Sequence, residues 1–266
     1  MKKLAVIGKD VSKSLSPQIH KFIAEFAGNE LEYNSISIPE TEFEKEIGKL
    51  FKEYDGFNVT IPYKLSVMPH LDKIVCDAEV FGAVNTVRVK DMSGHNTDGL
   101  GFMLMLKNNG VDVAEKKVLL LGAGGAGRSV AKKLSDAGAR VFVYDTRLES
   151  AKNIEKEFKG VKAIEKVDCV PYYAIINATG IGMHSTEGIS PVGEDILSLC
   201  TVAVDLIYTP EKSEFLRLAE NCGKKIINGQ AMLFYQAYFA QCIFFEKHAD
   251  EKQAKELFEK FKEEML

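Results

Sequence analysis

Three short segments hold most of the polar side chains able to do chemistry. Asn58-Val59-Thr60-Ile61-Pro62-Tyr63-Lys64 puts a lysine at a strand end, with an amide and a hydroxyl upstream. Asn96-Thr97-Asp98-Gly99 puts a carboxylate just ahead of a helical stretch. The run Gly122-Ala123-Gly124-Gly125-Ala126-Gly127 follows the apolar residues Val118-Leu119-Leu120-Leu121 and opens a helix. In that strand–turn–helix setting, GxGxxG is a phosphate cradle for a dinucleotide. Gly122 permits the tight turn, Gly124 lets backbone N–H groups approach a pyrophosphate, and Gly127 lets helix pack closely on strand. The helix N-terminus adds oriented donors and partial positive charge. Such a cradle, downstream of a lysine and a carboxylate, points to nicotinamide-dependent hydride transfer on a small hydroxylated molecule.

Each of these residues also has a plain structural reading. Most lysines are solvated surface charges; the strand-end position of Lys64, where loops carry chemistry, argues for more. Asp98 could do nothing beyond capping the helix expected over 99–107. Ser12, Ser14 and Ser16, before Pro17, could form only a turn and an N-cap, with Ser16 as the cap and Pro17 at N1. Asn58, Thr60, Asn85 and Thr86 are short polar residues beside apolar strand positions, suited to holding ring hydroxyls. Asp145 ends the strand after the cradle, about 20 residues past Gly122, where an acid accepts hydrogen bonds from the adenosine ribose and repels a 2′-phosphate. Arg147 could instead grip that phosphate bidentately, and Asp145 could simply cap the helix that starts near it.

The elements that must position these groups alternate. Strands are expected over 4–7, 33–38, 57–61 and 83–89, with helices over 17–27, 41–51 and 75–81. A connecting helix over 99–107 leads to a second series, with strands over 117–121, 140–144, 174–177, 202–206 and 225–227 and helices over 126–137 and 148–158. Alternation of this kind implies parallel strands joined by right-handed crossovers. Two helices close the chain, an apolar one over 231–245 and an amphipathic one over 250–265 whose charged face reads as solvated.

Composition narrows the function class. With 34 basic and 38 acidic side chains, a net charge of −4 and no basic stripe, nothing favours nucleic acid or an anionic membrane surface. The apolar start stops at Gly8, too short for a signal peptide, and no later segment is long enough for a membrane span. The five cysteines are widely spaced without a CxxC pair, which suits reduced thiols in the cytoplasm, and the five histidines show no ligand spacing, so no metal is expected.

Taken in order, Ser14-Leu15-Ser16-Pro17 with Ile19-His20, the segment 58–64, Gly82-Ala83-Val84-Asn85-Thr86, the segment 96–99, the cradle, Ile176-Asn177-Ala178-Thr179, 205–208 and 229–236 resemble the shikimate dehydrogenase family over essentially the whole chain. The resemblance implies a two-domain α/β fold. A mostly parallel substrate domain would comprise 1–100 and the returning helices 231–266, with a Rossmann domain over 101–230 and the active site in the cleft between them. It implies reversible reduction of 3-dehydroshikimate to shikimate, with Lys64 as acid/base and Asp98 as its partner. Ser14 and Ser16 would bind the substrate carboxylate, Thr60, Asn85 and Gln236 the ring hydroxyls, and Tyr208 would line the pocket beside Asp98. Gly122, Ala123, Gly124, Gly125, Ala126 and Gly127 would hold the cofactor phosphates. Asn177, Thr179 and the backbone of Leu206, Ile207 and Gly229 would lie along the nicotinamide half. Where the family often has Asn-Arg-Thr to read the phosphate of NADP, this chain has Asp145-Thr146-Arg147, so the cofactor is NADP or NAD. Quinate or dual quinate/shikimate dehydrogenation is the close rival, and the architecture also serves folate-type methylene dehydrogenases. A non-catalytic NAD(P)-sensing regulator on the same fold is the non-enzyme alternative, and a homodimer stays open.

Overall fold

The computed structural model describes residues 1–75 and 77–265 and divides into two compact units, Met1–Leu104 with Phe234–Leu266, and Met105–Leu233. Of the cysteines, Cys76 lies outside the described residues, and Cys169, Cys200, Cys222 and Cys242 are free thiols.

The first unit is built from β1 (Lys2–Gly8), α1 (Ser16–Phe26), β2 (Leu31–Ser37), α2 (Phe43–Glu53), β3 (Gly56–Val59), β4 (Lys73–Ile74), α3 (Asp77–Phe81), β5 (Thr86–Arg88), β6 (Ser93–His95) and the start of α4 (Asp98–Asn108). Its strands form one sheet in the order β2-β1-β3-β5-β6-β4. β1 runs parallel to β2 and β3, and its apolar residues are buried from Leu4 to Ile7, as a strand covered on both faces requires.

The expectation of parallel crossovers fails at β5, which pairs antiparallel with both β3 and β6. β5 and β6 are joined only by a 3-10 turn at Val89–Asp91, closed by Met92 at φ 45°, and a connection that short cannot make a crossover. The strand expected over 83–89 is shorter because its first residues serve the loops. The Val84 amide donates to the Lys64 carbonyl at 2.8 Å, tying two of the candidate segments together.

One face of this sheet packs Ala5, Ile7, Phe57, Val59 and Val87 against Phe43, Ile47 and Leu50 of α2. The opposite face packs Leu4, Val6 and Tyr33 against Ala240 and Phe244, which belong to the late helix that returns to this unit.

The second unit contains the remainder of α4, then β7 (Lys117–Leu121), α5 (Gly125–Asp136), β8 (Arg140–Tyr144), α6 (Leu148–Glu157), β9 (Val161–Ala163), β10 (Tyr172–Asn177), α7 (Glu194–Leu197), β11 (Cys200–Asp205), α8 (Glu214–Asn221) and β12 (Lys225–Ile227). Its sheet order is β12-β11-β10-β7-β8-β9 with every pair parallel. Counted from β9, that is the doubly wound Rossmann order, which reverses direction between β7 and β10. The sequence reading omitted β9, α7 and α8. For α8 a signal was present: Ser213 is its N-cap and accepts from the Leu216 amide at 3.4 Å.

α9 (Gln230–Phe244) and α10 (Glu251–Met265) complete the chain. Phe258 and Phe261 on the buried face of α10 meet Phe234 of α9 at ring distances of 5.4 and 5.3 Å. No helix among the described residues is long and apolar enough to cross a membrane.

Candidate active site

Within the first unit, the lysine and carboxylate of the two leading segments meet. Lys64 Nζ lies 2.6 Å from Asp98 Oδ2, with the two side chains 21% and 13% exposed. That is a charge-assisted hydrogen bond between two largely buried side chains, with about a fifth of Lys64 open to solvent. Asp98 is the first residue of α4, but its carboxylate is turned to Lys64 and Asn85. Asn96 supports the helix start instead, its Oδ1 accepting from the Asp98 amide at 3.0 Å. The capping reading of Asp98 is thereby replaced.

Asn85 is 3% exposed and its amide is fully engaged. Nδ2 donates to Asp98 Oδ1 at 2.8 Å and Thr97 Oγ1 at 3.0 Å, while Oδ1 accepts from the Thr97 amide at 2.9 Å. Asn58 and Thr86, read from the sequence as candidates for ring hydroxyls, are buried and bonded to each other at 3.1 Å, so they serve the interior of the sheet. They face each other across the β3–β5 ladder, a pairing no linear motif displays. Thr60, just beyond β3, is half-buried, as is Gln236 on α9.

The serines correct another expectation. Ser16 is the first residue of α1, Leu15 occupies the N-cap position, and no side chain caps the helix. Ser14 Oγ accepts from the Ser16 amide at 3.2 Å, holding the turn, while Ser16 is 8% exposed.

In the second unit the glycine run behaves as its spacing requires. Gly122 has φ 100°, a left-handed conformation that strains any other residue. A Cβ at Gly127 would collide with the Gly122 carbonyl oxygen, so α5 can lie against the turn only with glycine there. Added Cβ atoms at Gly124 and Gly125 meet nothing within 4 Å, and the start of α5 has no side-chain cap. Open space beside an uncapped helix N-terminus fits a pyrophosphate.

Asp145 braces this loop. Its Oδ2 accepts from the Ala123 amide and its Oδ1 from the Arg147 amide, both at 2.8 Å. The Arg147 side chain is 76% exposed, with Nε 3.7 Å from Asp145 Oδ1. Arg147 itself is the N-cap residue of α6, without a side-chain cap, so Asp145 shapes the approach to that helix from outside the cap position. Thr146 is exposed.

At the ends of β10 and β11 the chain makes a second polar nest. Asn177 Oδ1 accepts from the Thr179 amide at 3.0 Å and Thr179 Oγ1 at 2.6 Å; its Nδ2 donates to Asp205 Oδ1 at 3.1 Å. Asp205 also accepts from the Ile207 amide at 3.0 Å and from Ser213 Oγ at 2.5 Å. Burial pushes the Asp205 carboxyl up to about 6 against the pull of these three donors. A Cβ at Gly229 would run into the Leu206 carbonyl, and the Gly229 amide donates to the Ile207 carbonyl at 3.0 Å, so Leu206, Ile207 and Gly229 share one backbone surface. Tyr208 is half-buried and its hydroxyl is held above the ordinary range by burial. The bracing roles of Asp205 and Ser213 were not foreseen; a lone acid at a strand end carries no spacing signal for them.

The second unit thus has the layout of a dinucleotide domain, and the first holds a lysine–carboxylate pair. Known proteins match this arrangement. A family model described as the shikimate dehydrogenase substrate binding domain matches residues 6–87, and one described as shikimate / quinate 5-dehydrogenase matches residues 104–194. A shikimate dehydrogenase (NADP(+)) of Carboxydothermus hydrogenoformans is 38% identical over 249 residues, 88% of each chain. The solved shikimate 5-dehydrogenase of Thermus thermophilus, in complex with NADP(H) and shikimate, has a TM-score of 0.88 at 32% identity and covers 98% of this chain and 99% of its own. That of Listeria monocytogenes, in complex with shikimate and NAD, has a TM-score of 0.83 at 26% identity over 97% of this chain and 96% of its own. The chain belongs to the shikimate dehydrogenase family.

Proposed function

We propose that the protein catalyses the reversible, nicotinamide-dependent reduction of 3-dehydroshikimate to shikimate. The observation that carries this reading is the 2.6 Å Lys64–Asp98 pair, largely buried and tied through Asp98 to Asn85. Bound nicotinamide supplies the hydride in reduction and accepts it in oxidation. Lys64 donates a proton from Nζ to the oxygen of the carbonyl being reduced and takes it back in the reverse direction. Its positive charge also stabilises the oxyanion as it forms. Asp98 keeps Nζ aimed and accepts from the neighbouring hydroxyl of the ring.

The first unit takes the substrate role and the second the cofactor role. Ser14 and Ser16 hydroxyls bind the substrate carboxylate, and Thr60, Asn85 and Gln236 hold ring hydroxyls. Asn85 does so by exchanging its Thr97 partner for substrate, since both its amide hydrogens are already engaged. Gly122 through Gly127 take the pyrophosphate. Asn177, Thr179 and the Leu206, Ile207 and Gly229 backbone shape the nicotinamide side, held in place by Asp205.

NADP is the cofactor named for the curated relative, whereas the Listeria neighbour was solved with NAD. Asp145 at the end of β8 favours a free ribose 2′-hydroxyl; Arg147 favours a 2′-phosphate. We therefore expect turnover with both. The matching family model names quinate beside shikimate, which keeps dual substrate use as the second reading. Initial rates with shikimate and with quinate, each with NAD(+) and NADP(+), test all of this. Turnover of shikimate with both cofactors is expected, and no turnover of either acid with either cofactor would leave the regulator reading standing.

A further inference from the structure

Behind the lysine–carboxylate pair, a line of buried polar side chains runs across one face of the first sheet, beside the polar cluster of Arg88, Ser93 and His95 on β5 and β6. Tyr33, Asn58, Thr86 and Asn85 are 3%, 6%, 0% and 3% exposed. Their neighbours on that face include Leu4, Val6, Ala240 and Phe244. Apolar residues in these positions would be simpler to bury, because a buried polar group is tolerable only when every partner is present.

All the donors in the line point one way. Asn58 Nδ2 donates to the Asn85 carbonyl, which can only accept, and to Thr86 Oγ1, both at 3.1 Å, and this fixes the amide so that Tyr33 Oη donates to Asn58 Oδ1 at 2.8 Å. Thr86 Oγ1, accepting from Asn58, sends its own hydrogen to Asn85 Oδ1 at 2.9 Å. Asn85 Oδ1, which also accepts from the Thr97 amide at 2.9 Å, is held as the acceptor end by both donors, leaving Nδ2 to donate to Asp98 Oδ1 at 2.8 Å. Asp98 Oδ2 is left for Lys64 Nζ. Reversing Asn58 would set its oxygen against the Asn85 carbonyl, and reversing Asn85 would set its NH2 against the Thr97 amide and its oxygen against the Asp98 carboxylate.

The far end is closed by His20, which is fully buried and stacked on Tyr33 with ring centroids 4.4 Å apart and planes 14° apart. Neither of its ring nitrogens has a hydrogen-bond partner among the described residues. Burial lowers its pKa to about 3, and the Asn58 amide, nearby but outside hydrogen-bond geometry, opposes this only in part. His20 is therefore a neutral slab that fixes the Tyr33 ring without competing for its hydroxyl.

We propose that Tyr33, Asn58 and Thr86 are positioning residues for the reaction: a one-way hydrogen-bond relay that sets the Asn85 amide and, through it, the orientation of the Asp98 carboxylate toward Lys64. The inference rests on the reading of Lys64 and Asp98 as the acid–base pair. Thr86→Val removes the relay hydroxyl at nearly constant shape, and Thr86→Ser restores it.

The test is a double-mutant cycle of Thr86→Val with Asp98→Asn, measured as kcat and KM for shikimate and NADP(+) alongside Tm. Thr86→Val is expected to lower kcat about three- to tenfold, the size of one net hydrogen bond, with both KM values within about twofold. Thr86→Ser should recover most of the loss. In the Asp98→Asn background the valine substitution should cost kcat nothing further, since the relay reaches the proton transfer, as distinct from ring-hydroxyl binding by Asn85, only through that carboxylate. An unchanged kcat in Thr86→Val, or the same loss persisting on Asp98→Asn, would overturn the relay and leave a purely structural network. Near-normal kcat in Asp98→Asn alone would instead overturn the acid–base reading, so the two failures are distinct. If Thr86→Val does not fold, Tyr33→Phe, which keeps the ring stacked on His20, carries the same cycle.

Discussion

Replacing Asp145 by Asn separates the two jobs its carboxylate can do. In the proposed binding mode the adenosine ribose lies at the end of β8, within about 5 Å of Asp145, where a 2′-phosphate would meet a like charge. At that distance the repulsion between two unit charges is about 1–3 kcal/mol for an effective dielectric between water and a protein surface. The Asp145 side chain is only 11% exposed, so screening is incomplete. Removing the charge should therefore raise kcat/KM for NADP(+) relative to NAD(+) roughly tenfold, about 1.4 kcal/mol. The same substitution has a second effect. An amide has one oxygen, so either the part-buried Ala123 amide or the exposed Arg147 amide loses its acceptor, at a cost of about 0.5–1.5 kcal/mol to the fold. That loosening should lower Tm and weaken both cofactors alike, which makes the NADP/NAD ratio, measured by initial rates at several cofactor concentrations, the decisive readout. Arg147→Ala should move the ratio the opposite way. If neither substitution changes the ratio, both side chains face away from the ribose and this account of the β8 end is wrong.

Ser14→Ala and Ser16→Ala should each raise the shikimate KM by the loss of one hydrogen bond to a charged group, about 1.5–3 kcal/mol, with cofactor KM nearly unchanged. Ser14→Ala should also lower Tm slightly, because its hydroxyl supports the Ser16 amide; normal shikimate binding in both would return the serines to a turn. The Asp205 carboxyl, raised by burial to about 6 from 3.8, holds a proton in the folded state over a window where the unfolded chain has lost it. Its contribution to stability therefore falls as pH rises from about 4 to about 6. Asp205→Asn, which keeps the shape without the charge, should gain Tm relative to the parent protein as pH rises through that window, and a pH-independent difference would contradict the burial argument.

The Rossmann unit was the more legible half of the chain. β7, β8 and β12 lie where the sequence places them; β7, buried along Val118-Leu119-Leu120-Leu121, reads as the continuous apolar run of a strand covered on both faces. The glycine positions were legible because each meets a local backbone demand, as at Gly122 and Gly127. What stayed hidden depends on strand pairing and on turn geometry that no motif displays. The antiparallel placement of β5 depends on a short turn to β6, and the burial of Asn58 and Thr86 on their pairing across that ladder. Ser16 looked like a cap because it precedes Pro17, yet the helix begins one residue earlier, with the turn held by Ser14. The sequence singled out Lys64 and Asp98, but only folding brings them to 2.6 Å across 34 residues of chain.

The central claim, that Lys64 is the proton donor and acceptor, is tested most directly by the turnover of Lys64→Ala at saturating shikimate and cofactor, with Tm recorded to verify folding. The account predicts a fall in kcat of about 10²–10⁴, the usual contribution of a positioned acid/base, with a much smaller change in shikimate KM because the serine anchors remain. A folded Lys64→Ala protein with near-normal kcat would contradict it and move the proton transfer to another group.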